Sequence, residues 1–175
     1  GAAKKHGAQV IEHNRVLELI QKPDGWDVVT EKGTISTEHV VNAGGLWAKQ
    51  LGRMAGIELP VEPRKRYSWI FKADKPLDRD LPLTIDPSGV HVRENGGGTY
   101  QCGAHSDVDP AVAYDDFAMD QSLWQEHVWP ILAARIPQFE AIKVQNEWAG
   151  HYAMNTLDHN AVLGPHPALS NFLFL

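Results

Sequence analysis

Glycine-centred turn signals recur at short intervals along the chain, and they limit it to a fold built largely on antiparallel strands. In Pro23-Asp24-Gly25 and Glu31-Lys32-Gly33 the glycine takes the positive φ that a tight reversal needs. These turns separate strand-like runs at 15–20, 26–30 and 34–36, with another short run at 9–11. Farther on, Glu94-Asn95-Gly96-Gly97-Gly98 joins two such runs, 90–93 and 99–103, as a hairpin connection. Long aromatic-rich runs at 65–72 and 83–86 belong to the same sheet, and strands return at 144–152, 161–163 and 172–175.

Helices are few. The apolar run His39-Val40-Val41-Asn42-Ala43 leads through Gly44-Gly45 into a helix over about 46–55. A long helix is expected from about 116 to 135, with Phe117, Trp124, Val128, Ile131 and Leu132 on one stripe and Pro130 bending or breaking it. Asp115 or Asp116 would cap its start, which makes the acidic loop at 107–116 a solvated cap. Pro60 and Pro63 mark a change of character, giving expected segments 1–59, 60–152 and 153–175.

Composition narrows the function classes. A hydrophobic share of 43% and a charged share of 22% are those of a globular chain. No apolar run approaches the roughly 20 residues a bilayer helix needs. The formal net charge of -6, with Arg64-Lys65-Arg66 as the one compact basic cluster, argues against nucleic acid as a partner. Cys102 is the single cysteine, so an intrachain disulfide is excluded. Residues 2–8 read as the last turn of a helix stopped by Gly7, and 171–175 as a strand without a following turn, so the chain is expected to be a segment of a longer protein.

Several residues carry chemistry. The strand end Val40 to Trp47 either brings bare backbone to an anionic ligand at a helix start or merely lets strand and helix pack closely. Nine histidines are present, of which His6, His13, His39 and His127 sit among polar neighbours as surface residues. Cys102 and His105 have Cys-x-x-His spacing, but no second soft pair accompanies them, and the Asp107-Val108-Asp109-Pro110 stretch lacks the ligand order of a calcium loop. No metal site is therefore expected. Alternation puts Arg64 and Arg66 on one strand face, where they either bind a carboxylate or form a charged edge.

The order of Gly7-Ala8, Arg15-Val16, the short hairpin, Val41-Asn42-Ala43-Gly44-Gly45-Leu46-Trp47 and Pro60-Val61-Glu62-Pro63-Arg64 resembles the middle of the D-amino-acid oxidase superfamily of flavoproteins. That group includes sarcosine oxidase and dimethylglycine dehydrogenase. Trp148-Ala149-Gly150-His151-Tyr152 and 158–165 resemble its later segments, and Pro63-Arg64-Lys65-Arg66-Tyr67 resembles the FAD-dependent oxidoreductase domain-containing branch.

The resemblance implies an α+β fold: an antiparallel substrate-domain sheet with flanking helices, plus the β-hairpin and strand-turn-helix portion of an FAD-binding α/β domain. On this basis 1–59 would be partial FAD-binding domain, 60–152 the substrate domain, and 153–175 a return to the FAD domain. The Gly-x-Gly-x-x-Gly pyrophosphate turn of such proteins does not occur in these 175 residues. It further implies that Val16 meets the adenine ring of FAD, that Ala43, Gly44 and Gly45 close over its adenosine and pyrophosphate side with Trp47 behind them, that His151 faces the flavin, and that His105, His91 and Tyr152 serve the substrate. No cysteine stands in the 148–152 motif, so FAD would be held noncovalently.

The implied reaction is oxidation of the C–N bond of a secondary or tertiary amino acid such as an N-methylglycine, by hydride transfer to flavin. The partners would be a small amine substrate and an electron-transfer protein, and the location a bacterial cytoplasm or a mitochondrial matrix. The isolated segment would be inactive. The alternative is a noncatalytic binding or assembly module that keeps the flavoprotein fold.

Overall fold

A computed structural model describes residues 1–175. The chain divides into two compact units, one formed by Gly1–Val61 with Asn155–Leu175, the other by Glu62–Met154.

In the first unit a short helix α1 (Ala2–Lys5) ends at Gly7, whose φ of 89° lets its N–H reach the Lys4 carbonyl. Strands β1 (Val16–Lys22), β2 (Gly25–Thr30) and β3 (Gly33–Thr37) form an antiparallel meander. Gly25 is required there, because a Cβ would stand 2.2 Å from the Thr37 carbonyl oxygen. Residues 9–11 pair with no strand: Val10 and Ile11 are exposed, and so short a run has no ladder to hold it.

A second sheet has the order β10-β11-β4, with β4 (Val40–Asn42), β10 (Gly164–His166) and β11 (Leu169–Phe174). β4 and β11 run parallel, Phe172 opposite Val40. The expected strand at 161–163 begins instead at Gly164, the first residue to find a partner, in Phe174. The core gathers Leu19, Trp26, Ile57, Leu59, Val61, Phe172 and Phe174. Trp26 meets Phe172 edge-on at 5.5 Å, the favoured aromatic geometry.

The second unit is a five-stranded sheet of order β6-β7-β8-β5-β9, from β5 (Val61–Ala73), β6 (Thr84–Ile85), β7 (His91–Gly96), β8 (Thr99–Ala104) and β9 (Ile142–Asn155). Alternation sorts β5 cleanly: Tyr67, Trp69, Phe71 and Ala73 are buried, while Arg66, Ser68, Ile70 and Lys72 face the other way. A helical layer covers the buried face, and Trp124, Val128, Leu132 and Phe139 pack into the aromatic core.

That layer starts later than the sequence leads one to expect. It runs through α3 (Gln121–Leu123), a π-helical stretch Trp124–Val128, and α4 (Trp129–Arg135). The N-cap is Asp120, which accepts from the Ser122 and Leu123 amides, and not Asp115 or Asp116. Asp116 is held instead by Lys65 of β5 at 2.7 Å, and Phe117 lies off the helix, exposed. Pro130 stands directly after the π-helical stretch, at the point where the α-helical pattern resumes as α4, so the regular α pattern is interrupted just ahead of the residue that lacks an N–H.

Candidate functional site

In the first unit, β1 and the helix after β4 enclose a half-open cavity of about 470 Å3 lined by Arg15, Val16, Trp47, Gln50, Leu51 and Met54. Its position follows from the turn after β4. Buried Asn42 accepts the Gly44 N–H at 3.1 Å and donates to the Ala48 carbonyl at 2.9 Å, clamping a 3-10 turn (Gly45–Trp47) to α2 (Ala48–Met54).

The two glycines therefore serve different ends. A Cβ on Gly44 would lie 2.6 Å from Leu51 Cδ1, so Gly44 is a close-packing residue whose amide is already spoken for. Gly45 has a φ of 55° and open space where a Cβ would be. Ala43 and Gly45 are exposed. The helix that follows this turn, α2, is seven residues long.

The apolar walls of Val16, Leu51 and Met54, the exposed indole of Trp47 and the polar ends of Arg15 and Gln50 suit a flat heteroaromatic group with a hydrogen-bonding edge. These residues fit the adenosine end of a dinucleotide such as FAD. A phosphate cradle is not among them.

In the second unit the sheet face opposite the helical layer carries the other candidates. His91 on β7 pairs across to Gly103 on β8, and the two strands also place Arg93 against Gln101 on this face, with a 2.7 Å hydrogen bond. The His91 ring lies over Gly103, where a Cβ would stand 2.6 Å from its Nε2. Its Nδ1 is 3.3 Å from the Gly89 carbonyl. His105 follows β8, and its Nδ1 lies 2.9 Å from the Ser106 carbonyl. That contact makes Nδ1 the donor and leaves Nε2 as the acceptor of the neutral ring. His105 Nε2 would be 3.6 Å from a Cβ on Gly89, so both imidazoles flank this one glycine.

Tyr152 on β9 is exposed, and the guanidinium carbon of Arg66 lies 4.7 Å from its ring centroid. Arg66 is itself bound by both carboxylate oxygens of Asp109, at 2.6 and 2.9 Å. His151, next to Tyr152, points elsewhere: its ring stacks on Phe117 at 4.4 Å and its Nε2 donates to the Asp116 carbonyl at 2.8 Å. The structure thus gathers His91 with His105 around Gly89 and puts Tyr152 on Arg66, whereas His151 is engaged by the 116–117 segment. Val16 and Trp47 share the first-unit cavity, and Ala43, Gly44 and Gly45 are not in its lining.

Sequence reading misses Gly103, Gly89 and the Arg66–Asp109 pair. A glycine between Cys102 and Ala104 inside a strand is a signal of close approach, and Gly103 has that role. Asp109 gives no such signal, because its partner lies 43 positions away in sequence. The acidic loop is accordingly more than a solvated cap. Cys102 sits on the helix-covered face, where burial pushes its thiol up to about 12. No helix is long and apolar enough to cross a membrane.

Comparison with known proteins gives a consistent result. The family described as FAD dependent oxidoreductase matches residues 1–175. The FAD-dependent oxidoreductase domain-containing protein 1 of Xenopus laevis is 37% identical over 156 residues, 82% of this chain and 31% of that protein. Mitochondrial sarcosine dehydrogenase of Mus musculus is 28% identical over 98% of this chain and 20% of its own length. This chain therefore spans less than a third of either relative. The crystal structure of L-proline dehydrogenase from P. horikoshii superposes with a TM-score of 0.83 at 27% identity, covering 98% of this chain and 46% of that one. The mixed α+β architecture accords with that fold, and the chain belongs to the FAD dependent oxidoreductase family.

Proposed function

We propose that the protein containing this chain oxidises a carbon–nitrogen bond of a secondary or tertiary amino acid of the N-methylglycine kind. The observation that carries the reading is the pairing of His91 and His105 around Gly89, on the sheet face that lacks a helical cover. Membership of an FAD dependent family and similarity to a sarcosine dehydrogenase support it. FAD, when bound, supplies the two-electron acceptor for a hydride.

The residues of this chain have separate tasks in the proposal. Residues 1–59 and 153–175 contribute to FAD binding, with Val16 and Trp47 toward the adenosine and Ala43, Gly44 and Gly45 nearby. Residues 60–152 form the substrate side. His105 Nε2, with its lone pair free, takes the proton from the ammonium form of the substrate. The amine lone pair then becomes the second bond of C=N as the C–H hydride departs, leaving an iminium ion that water hydrolyses. Tyr152 packs its ring against the substrate, and His91, fixed over Gly103, limits how deep it sits.

No thioether to FAD would form at the 148–152 motif, since no cysteine stands there and Cys102 is buried on the helix-covered face, so FAD would be held noncovalently by this route. The electron acceptor would be an electron-transfer protein, and in a eukaryote the setting would be the mitochondrial matrix; the similar sarcosine dehydrogenase is a mitochondrial protein. The 175 residues alone are inactive. The test is anaerobic mixing of the full-length, FAD-loaded protein with a panel of N-methyl amino acids. Bleaching of the visible flavin band by at least one of them supports the reading. FAD binding with no bleaching by any would instead favour a noncatalytic binding module.

A further inference from the structure

Arg66, on β5 of the sheet that carries the two histidines, is not a vacant cation. Arg66 spends two parallel N–H···O bonds, of 2.6 and 2.9 Å, on Asp109, and its Nη1 also donates to the Lys65 carbonyl at 2.8 Å. Both side chains are largely covered, 17% and 23% exposed. Such a two-pronged carboxylate pair is the strongest and most directional ion contact an arginine makes. A substrate carboxylate would have to evict Asp109 to reach the same guanidinium edge.

Asp109 is in turn fixed at its backbone. Its N–H is donated to Ser106, to the carbonyl at 3.1 Å and the hydroxyl at 3.2 Å, and its carbonyl accepts from Arg64. Its φ of 41° lies in the left-handed region, which a non-glycine residue holds only when its surroundings hold it there. The Ser106 carbonyl that receives the Asp109 N–H also receives His105 Nδ1. Just beyond, Arg64 bridges to Ala111 and the Val112 N–H meets the Pro63 carbonyl at 3.1 Å, so the far side of the turn is laced to β5. On its other side, Arg66 carries the Tyr152 ring, 4.7 Å from the guanidinium carbon.

We infer that the Arg66–Asp109 pair is a positioning clamp that fixes the His105 turn relative to Tyr152, and that Arg66 is not the cation that receives the substrate carboxylate. One continuous path supports this: Tyr152 on Arg66, Arg66 on Asp109, Asp109 on Ser106, Ser106 on His105. The catalytic consequence rests on the proposed roles of His105 and Tyr152; the clamp itself does not.

The experiment uses the full-length, FAD-loaded protein with isotope-labelled histidine and tyrosine rings, as wild type, Asp109→Asn, Arg66→Lys and Arg66→Gln/Asp109→Asn. His105→Asn and Tyr152→Phe identify the two ring signals. Asp109→Asn is expected to displace the ring signals of both His105 and Tyr152, although Asp109 lies in a loop and Tyr152 on β9. Arg66→Lys, which keeps the charge and loses the two-pronged geometry, is expected to do the same. In turnover, each single substitution is expected to lower kcat by about 10-fold with KM changed less than about 3-fold, and the double variant to be no worse than either single. Undisturbed His105 and Tyr152 signals in Asp109→Asn and Arg66→Lys would overturn the clamp. So would a large rise in KM in Arg66→Lys with kcat intact, the signature of a lost carboxylate receptor. If the wild type oxidises no N-methyl amino acid, the proposed reaction fails while the ring signals still decide the clamp.

Discussion

The imidazole of His91 occupies the space a side chain at position 103 would need: a Cβ there would stand 2.6 Å from His91 Nε2 and 2.8 Å from its Cε1. Gly103→Ala is therefore expected to push the ring aside and to cost about 1–3 kcal/mol of stability by overpacking. Adding His91→Ala should recover part of that loss, because it removes both clashing atoms. Urea denaturation of the two variants and of wild type checks this; equal losses in single and double variants would mean that His91 does not lie over Gly103.

The helix start offers a sharp local test. Asp120→Ala removes the acceptor for the Ser122 and Leu123 amides and is expected to cost about 1 kcal/mol. Asp115→Ala, at an exposed position, is expected to stay within about 0.5 kcal/mol of wild type. Denaturation midpoints of the two variants distinguish the observed cap from the expected one.

Phe71 is fully buried and touches Tyr100 at 5.5 Å, Phe139 at 5.0 Å and Trp124 at 6.4 Å between ring centroids. Phe71→Ala is expected to lose about 3–5 kcal/mol, through lost transfer energy and the cavity left behind. Ile70→Ala, one residue along and facing away, should cost far less. Equal losses would contradict the one-sided core.

Stability should respond to pH at both ends. Asp27, Asp86, Asp116 and Asp120 are all held below the ordinary aspartate value, chiefly by hydrogen bonds from Ser36, Ser88, Lys65 and Ser122 respectively. Their contribution is present above the unfolded pKa of about 3.9 and is lost as pH falls through the lower folded values. The Cys102 thiol moves the opposite way, to about 12, so its contribution is complete below about pH 8.5 and declines as pH rises toward 12. These groups should thus make denaturant midpoints fall as pH drops below about 4 and again as it rises above about 8.5. At pH 8 a thiol reagent should label Cys102 only as fast as the protein unfolds.

Local turn chemistry made much of the sheet readable from the sequence. The reversals at Gly25 and Gly33, the hairpin through Gly96-Gly97-Gly98 and the alternation of Arg66 to Ala73 depend on neighbours in sequence, and they lie where those residues indicate. What resisted reading depends on distant partners. Asp116 has the chemistry of a helix cap, yet Lys65 claims it from β5 and the helix waits for Asp120. Along β9 the core-facing residues are Ile142 and Val144 and then Ala149, so the two-residue period changes phase midway. A simple alternation therefore cannot say which way His151 and Tyr152 point. His105 is recognisable as a candidate by the family resemblance, but the Ser106 carbonyl that sets its tautomer and the Asp109 that braces its turn emerge only in three dimensions.

The most direct test of the proposed chemistry is the rate of anaerobic flavin reduction by the preferred N-methyl amino acid, compared between the full-length wild type and His105→Asn. Asparagine keeps a donor for the Ser106 carbonyl and removes the Nε2 lone pair. With FAD content unchanged, a fall of about 100-fold or more is expected near neutral pH. Reduction of His105→Asn at the wild-type rate would contradict the proposed chemistry.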